Sequence, residues 1–338
     1  MNITRKTFLR GLTTATLAAG LMMTTSAMAQ AKEMRIAVVV KALGIGFFDA
    51  VDKGAEKAAS ELGDVKIIYT GPTNTTAEGQ IQVINSLIAQ HVDAIAISAN
   101  DQDALVPVLK KAMKRGITVI SFDSGVAKAG REMQLDDSST PLIGKTLIKM
   151  AADNMPDGGE VAVLSASATA TNQNAWIDAM KIAMKADYPK IKLVSVVYGD
   201  DLSDKSYRQA QGLIKKYPDL KTIIAPSTVA ISAASQAVED AKMTGKINVT
   251  GLGLPSQMAA HVKTGASKSF ALWNPIDLGY AATMVAYNLA AKKAKAAPGA
   301  KIGMGKMGDT TLNKDNVGVM GKPFVFDASN VDKYAKMF

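Results

Sequence analysis

Cysteine is absent from the 338 residues, and there are only two histidines, His91 and His261. The first absence excludes a disulfide scaffold, thiolate metal sites, iron–sulfur clusters and a cysteine nucleophile. The second leaves little for imidazole catalysis or metal binding. Aromatic residues make up only 5% of the chain, with two tryptophans. No apolar run approaches the ~20 residues of a membrane-spanning helix. What is present is 48% hydrophobic residues against 20% charged. That balance excludes disorder and collagen-like structure, and the length suits one large domain or two.

The first 29 residues read as an export address. Arg5, Lys6 and Arg10 form a basic stretch without an acid, residues 12–23 a short apolar stretch, and Ala27-Met28-Ala29 a cleavage signal. A cleavable signal peptide at 1–29 is expected, with the mature chain in the periplasm. The run from Thr4 to Arg10 is similar to a twin-arginine signal, with Lys6 in place of the second arginine. Removing three cations lowers the formal charge from +9 to +6. The remaining lysines are scattered along helices, as at Lys110-Lys111 and Lys215-Lys216, with no basic stripe interleaved with aromatics. A solvated surface is expected and nucleic-acid binding is not.

Strand and helix patterns alternate through the mature chain. Continuous apolar runs at 34–40, 65–69, 94–98, 118–122, 160–165, 191–197, 222–225, 248–251 and 268–272 read as strands. Amphipathic segments between them read as helices, the last at 278–291. Unbroken apolar strands belong to parallel sheets covered on both faces. The pattern restarts after 123–140, where Asp136 to Pro141 reads as a polar connector, so the expected fold is α/β with two doubly wound lobes joined by a hinge. The first lobe is expected at 30–123 with 271–297, the second at 124–270 with 298–338. The tail after Ala297 reads as irregular.

Ligands of open parallel sheets lie outside the carboxyl ends of the strands. The segments there, such as Lys41 to Phe48 and Trp273 to Asp277, are polar or aromatic after strands of Ile, Val and Ala. Eight such segments imply a polar cleft. Catalytic motifs do not fill it. Gly44-Ile45-Gly46 lacks the third glycine of a dinucleotide loop, and Gly144-Lys145-Thr146 lacks the glycine that starts a phosphate loop. No HExxH or GxSxG occurs. His91 and His261 read as structural or solvent-facing. Asp136-Asp137 and Asp200-Asp201 read as turn and cap residues. Neither an enzyme, a cofactor nor a metal site is expected.

A neutral polyol needs hydrogen bonds for its hydroxyls and a flat apolar surface for its C–H face. Asp123 can accept from two hydroxyls, Asn172 and Gln173 can donate and accept, and Phe47, Phe48 and Trp273 can stack. Packing in the core remains open for one of the phenylalanines, a helix N-cap for Asn172, and a hinge role for Asp123.

These runs carry a resemblance. Lys41 to Phe48, Thr70-Gly71-Pro72-Thr73, Ser98-Ala99-Asn100-Asp101, Phe122-Asp123-Ser124, Thr171 to Trp176, Ala225-Pro226 and Trp273-Asn274-Pro275 resemble type I periplasmic sugar-binding proteins of ABC transporters. The nearest branches are the rhamnose-binding proteins and the autoinducer-2 receptor. By that resemblance Lys41, Asp123, Gln173 and Pro226 fall on ligand-contacting positions. Three positions depart from the autoinducer-2 branch: Asn172 replaces Asp, Thr228 replaces Ala and Asn274 replaces Asp. The implied site is Lys41, Phe47, Phe48, Asp123, Asn172, Gln173, Pro226, Thr228, Trp273 and Asn274. The resemblance implies import of a small sugar, L-rhamnose before autoinducer-2, by a monomer that closes at its hinge and docks on an inner-membrane permease. Crossovers are expected near 123–125, 251–270 and after 297. An exported enzyme or a periplasmic sensor are the readings from other classes.

Overall fold

The computed structural model describes residues 33–338, so the signal peptide expected at 1–29 lies outside the described residues. The chain first builds β1 (Met34–Val39), α1 (Gly46–Leu62), β2 (Val65–Thr70), α2 (Ala77–Ala89), β3 (Ala94–Ile97), α3 (Val106–Lys114), β4 (Thr118–Phe122) and β5 (Met133–Ser138). It then forms α4 (Thr140–Ala152), β6 (Gly159–Ser165), α5 (Thr171–Asp187), β7 (Ile191–Tyr198), α6 (Ser203–Lys216), β8 (Leu220–Ala225), α7 (Thr228–Asp240), β9 (Asn248–Gly251), α8 (Pro255–Thr264) and β10 (Ser269–Leu272). A last stretch holds α9 (Pro275–Ala290), β11 (Lys301–Gly303), β12 (Asp309–Thr311), β13 (Val317–Gly321), β14 (Phe324–Asp327) and α10 (Val331–Tyr334).

Lobe 1 is a six-stranded parallel sheet in the order β13-β5-β4-β3-β1-β2. Lobe 2 is a parallel sheet in the order β7-β6-β8-β9. The Leu252–Ala271 bridge extends it towards β10, which pairs antiparallel with β14. All four residues of β3 are buried, as a strand covered by helices on both faces requires.

Sheet membership corrects the expected lobe boundaries. Residues 133–138, read as part of the second lobe with a polar connector at 136–141, form β5 in the first sheet. The tail is not irregular: β13 joins the first sheet beside β5, and β14 returns to lobe 2. The three crossovers therefore fall at 138–140, 272–275 and 321–324. The segment at 123–125 stays within lobe 1.

Helix α1 buries one face through Phe47, Val51, Ala55 and Ala58, and crosses α9 at very close range. Gly54 and Gly279 permit this. A Cβ on Gly54 would lie 1.8 Å from the Ile276 carbonyl oxygen, and one on Gly279 1.9 Å from that of Val51. In an open helix Gly→Ala gains about 1 kcal/mol; here backbone must move, and overpacking costs ~1–3 kcal/mol. Gly279→Ala is therefore expected to lower stability in urea denaturation. Unchanged or higher stability would contradict the close crossing. Because α1 opens with Phe47 and Phe48, and α9 follows Trp273, this crossing also sets the spacing of those three rings.

Candidate binding site between the lobes

A cavity of about 40 Å³ lies between the lobes, inside a wider space that opens to solvent. Nine of the ten expected site residues line it: Lys41, Phe47, Phe48, Asp123, Asn172, Gln173, Pro226, Thr228 and Trp273. Asn274 is absent from the lining. Its Oδ1 accepts from the Ile276 N–H at 3.0 Å and its Nδ2 donates to Asp277, so it caps α9 ahead of Pro275. Ile45, Trp176, Asp201, Ser227, Leu252 and Leu272 complete the wall.

The polar side is a chain of bonds between lobes. Lys41 Nζ donates to Asn172 Oδ1 at 3.0 Å, and Asn172 Nδ2 donates to Asp123 Oδ1 at 2.7 Å. Asp123 Oδ2 accepts from the Ser98 hydroxyl at 2.6 Å. Asp123 follows β4 with φ +54°, a left-handed conformation that Asp tolerates better than most residues. Asn172 stands in the first turn of α5, past the N-cap residue Ala170, and its Oδ1 also accepts from the Gln173 N–H at 2.8 Å. Two short bonds tie the lobes elsewhere: Thr75 donates to the Asp200 carbonyl at 3.0 Å and Thr169 to the Asn100 carbonyl at 2.9 Å.

Spare bonding capacity faces the space. Each Asp123 oxygen already accepts one bond and keeps a lone pair. Gln173 Oε1 accepts from the Ala166 N–H and the Ser165 hydroxyl, which leaves its Nε2 as the donor. Asp201, read from sequence as a turn residue, accepts from Ser227 at 2.6 Å with one oxygen only. Both it and Asp200 have left-handed backbones, so the turn and the site coincide there. Trp273 Nε1 is buried without a partner. Burial pushes the Asp123 and Asp201 carboxyls above the usual range, with Lys41 opposing it in each case.

The apolar side is an aromatic chain. Phe47 meets Phe48 edge-on at 5.2 Å between ring centroids and Trp273 at 6.4 Å; Trp273 meets Trp176 at 5.5 Å. Both phenylalanines also belong to the core, so packing and lining are not exclusive. His261 is buried on α8 with Nδ1 2.9 Å from Glu239, while His91 is exposed at the end of α2. Neither is near the space. Among the described residues no group of three or more His, Asp or Glu side chains is arranged to hold a metal ion.

Residues 36–294 match the model of the periplasmic binding protein domain. The chain belongs to that family. Its likeness to solved members extends over nearly the whole described part. A solute-binding protein of an ABC transporter from Clostridium phytofermentas, solved with bound L-rhamnose, is 36% identical, with a TM-score of 0.87 over 90% of this chain and 99% of that one. The D-allose-binding periplasmic protein of Escherichia coli is 29% identical over 77% of this chain and 85% of its own length. LsrB from Clostridium saccharobutylicum, solved with AI-2, shares the fold with a TM-score of 0.84 at 23% identity, over 89% and 99% of the two chains. The two-lobed α/β architecture is that of this family.

Proposed function

We propose that the protein is the periplasmic substrate-binding component of a sugar ABC importer, and that its substrate is L-rhamnose. One observation carries this reading: the lining combines polar side chains with apolar ones. Lys41, Asp123, Gln173 and Asp201 offer donors and acceptors for a set of hydroxyls. Ile45, Leu252 and Leu272 offer nothing to a hydroxyl but suit a methyl group, which a 6-deoxyhexose carries and a hexose lacks. A hydroxyl placed there loses its water without a partner, at ~1–3 kcal/mol. The likeness to a protein solved with L-rhamnose agrees.

In this reading the sugar is bound and released unchanged. Lys41 and Asp123 belong to lobe 1, Asn172, Gln173 and Trp176 to lobe 2, so only a closed conformer touches the sugar from both sides. Sugar then shifts the population towards closure at the three crossovers, and the closed form is delivered to a permease in the inner membrane.

A thermal-shift panel of residues 30–338 tests the substrate, with L-rhamnose, autoinducer-2 with and without borate, ribose, galactose and glucose. Ligand at about 100 times its dissociation constant adds ~2.7 kcal/mol of stability. L-Rhamnose is expected to raise the melting temperature and the others not. A shift with autoinducer-2 alone moves the protein to signal uptake and overturns the assignment of Asn172 and Thr228.

A further inference from the structure

Behind the Asp123–Asn172 bond lies a second space between the lobes, of about 310 Å³. Lobe 1 lines it with Asp123, Asp136 and Asp137; lobe 2 covers it with Thr140, Ile143, Thr171 and Trp176 and brings no charge to it. Asp137 is only 3% exposed, and neither of its carboxylate oxygens has a hydrogen-bond partner. The hydroxyl of Ser138, 2% exposed and next in the chain, has none either. Both residues end β5, immediately before the first crossover.

Lys128 and Arg131 line the same space, and none of the nearby cations bonds Asp137 directly. Lys41 donates to Asn172 and serves Asp123 and Asp201 on the sugar side. Arg131 donates to the carbonyls of Val126, Asp315 and Asn316. Lys128 pairs with Asp315 at the exposed rim, at 3.6 Å. A buried carboxylate whose oxygens no other side chain bonds is costly to keep charged, even with Lys41 close enough to oppose the cost. Burial, then the charges of Asp123 and Asp136, push the Asp137 carboxyl well above the usual range, against its own backbone N–H and the charge of Lys41. Burial likewise raises Asp136 to about 6, although a Gln134 bond and Arg131 oppose it.

We propose that closing the lobes transfers a proton from solvent to Asp137, so that sugar binding and proton uptake are one event. This rests on reading the first space as the sugar site. With lobe 2 swung away, water reaches Asp137 and it titrates as an ordinary carboxylate. With lobe 2 seated, it is the neutral acid. Between those two titration points each closure binds a proton, so affinity rises as pH falls, by up to about tenfold per pH unit. Below both points the proton is present in each state and the dependence ends.

The test is calorimetric titration with L-rhamnose from about pH 5 to about pH 8, in buffers of different ionisation enthalpy, which counts protons taken up. The wild type is expected to take up close to one proton and to bind more weakly as pH rises. Asp137→Asn, which mimics the neutral acid, is expected to bind at neutral pH as the wild type does in acid, with most of the slope removed. Asp136→Asn/Asp137→Asn leaves only the slope that the raised carboxyls of Asp123 and Asp201 contribute, and Asp315→Asn, at the exposed rim, leaves the slope intact. A wild type that binds sugar with no proton uptake and a flat pH profile overturns the proposal and leaves the sugar reading standing. No heat with L-rhamnose or any sugar of the panel at any pH overturns both. The proton count is made on the wild type, so it holds even if a variant folds poorly.

Discussion

Asp123→Ala is expected to weaken L-rhamnose binding by roughly 10²–10⁴-fold. Asp123 stands at the centre of the polar chain, with one bond from Ser98 and one from Asn172 already on its oxygens. Its remaining lone pairs face the space. Two hydroxyls bonded to a charged acceptor are worth ~1.5–3 kcal/mol each, and ~1.4 kcal/mol is a factor of ten. The fold should survive, because the carboxylate is buried at an electrostatic cost that its removal relieves. Melting temperature and calorimetric affinity, measured together, check this. Affinity within tenfold of wild type, in a folded variant, contradicts the placement of the sugar.

Asn172→Asp carries the second large effect, and its sign depends on pH. The amide now donates to Asp123 at 2.7 Å and accepts from Lys41 at 3.0 Å. A carboxylate keeps the second bond and turns the first into a contact between like charges, which the pair relieves by sharing a proton as pH falls. At neutral pH the variant is expected to bind L-rhamnose at least about tenfold more weakly, the loss of one charge-assisted bond. The deficit should shrink as pH falls, since the shared proton restores a donor. Affinity measured across pH checks this; a deficit that grows in acid contradicts the role of the Asn172–Asp123 bond. The same substitution restores the residue found in the autoinducer-2 branch, so its ligand panel also reads out specificity.

Eight of the ten strands in the two central sheets, all but β5 and β13, were legible because they are short, mostly apolar runs. Strand β5 was hidden by its own chemistry. Met-Gln-Leu-Asp-Asp-Ser carries two acids beside its last residue, and their burial beside residues of lobe 2 is something no local pattern encodes. Strands β13 and β14 were missed for a related reason: they are short edge strands paired with partners far away in the chain. The lobe boundaries moved with them.

Most residues of the candidate site were visible as polar or aromatic interruptions after apolar strands. Asp201 was not, because Asp200-Asp201 also reads as a turn, and it is one. Trp176 carried a usable signal: it lies three and four residues after Gln173 and Asn172, on the same face of α5. Asn274 was assigned to the site through its neighbour Trp273, yet Asn before Pro at a helix start is equally a capping signature, and the cap is what it makes.

In the proposed reading a deoxysugar occupies the space between the lobes. A crystal structure of residues 30–338 grown with saturating L-rhamnose tests it most directly. The account predicts one pyranose enclosed by Lys41, Asp123, Trp176 and Trp273, with its hydroxyls on the carboxylates and its methyl against Leu252 or Leu272. A space without sugar under those conditions, or a sugar whose methyl points at Asp123, contradicts it.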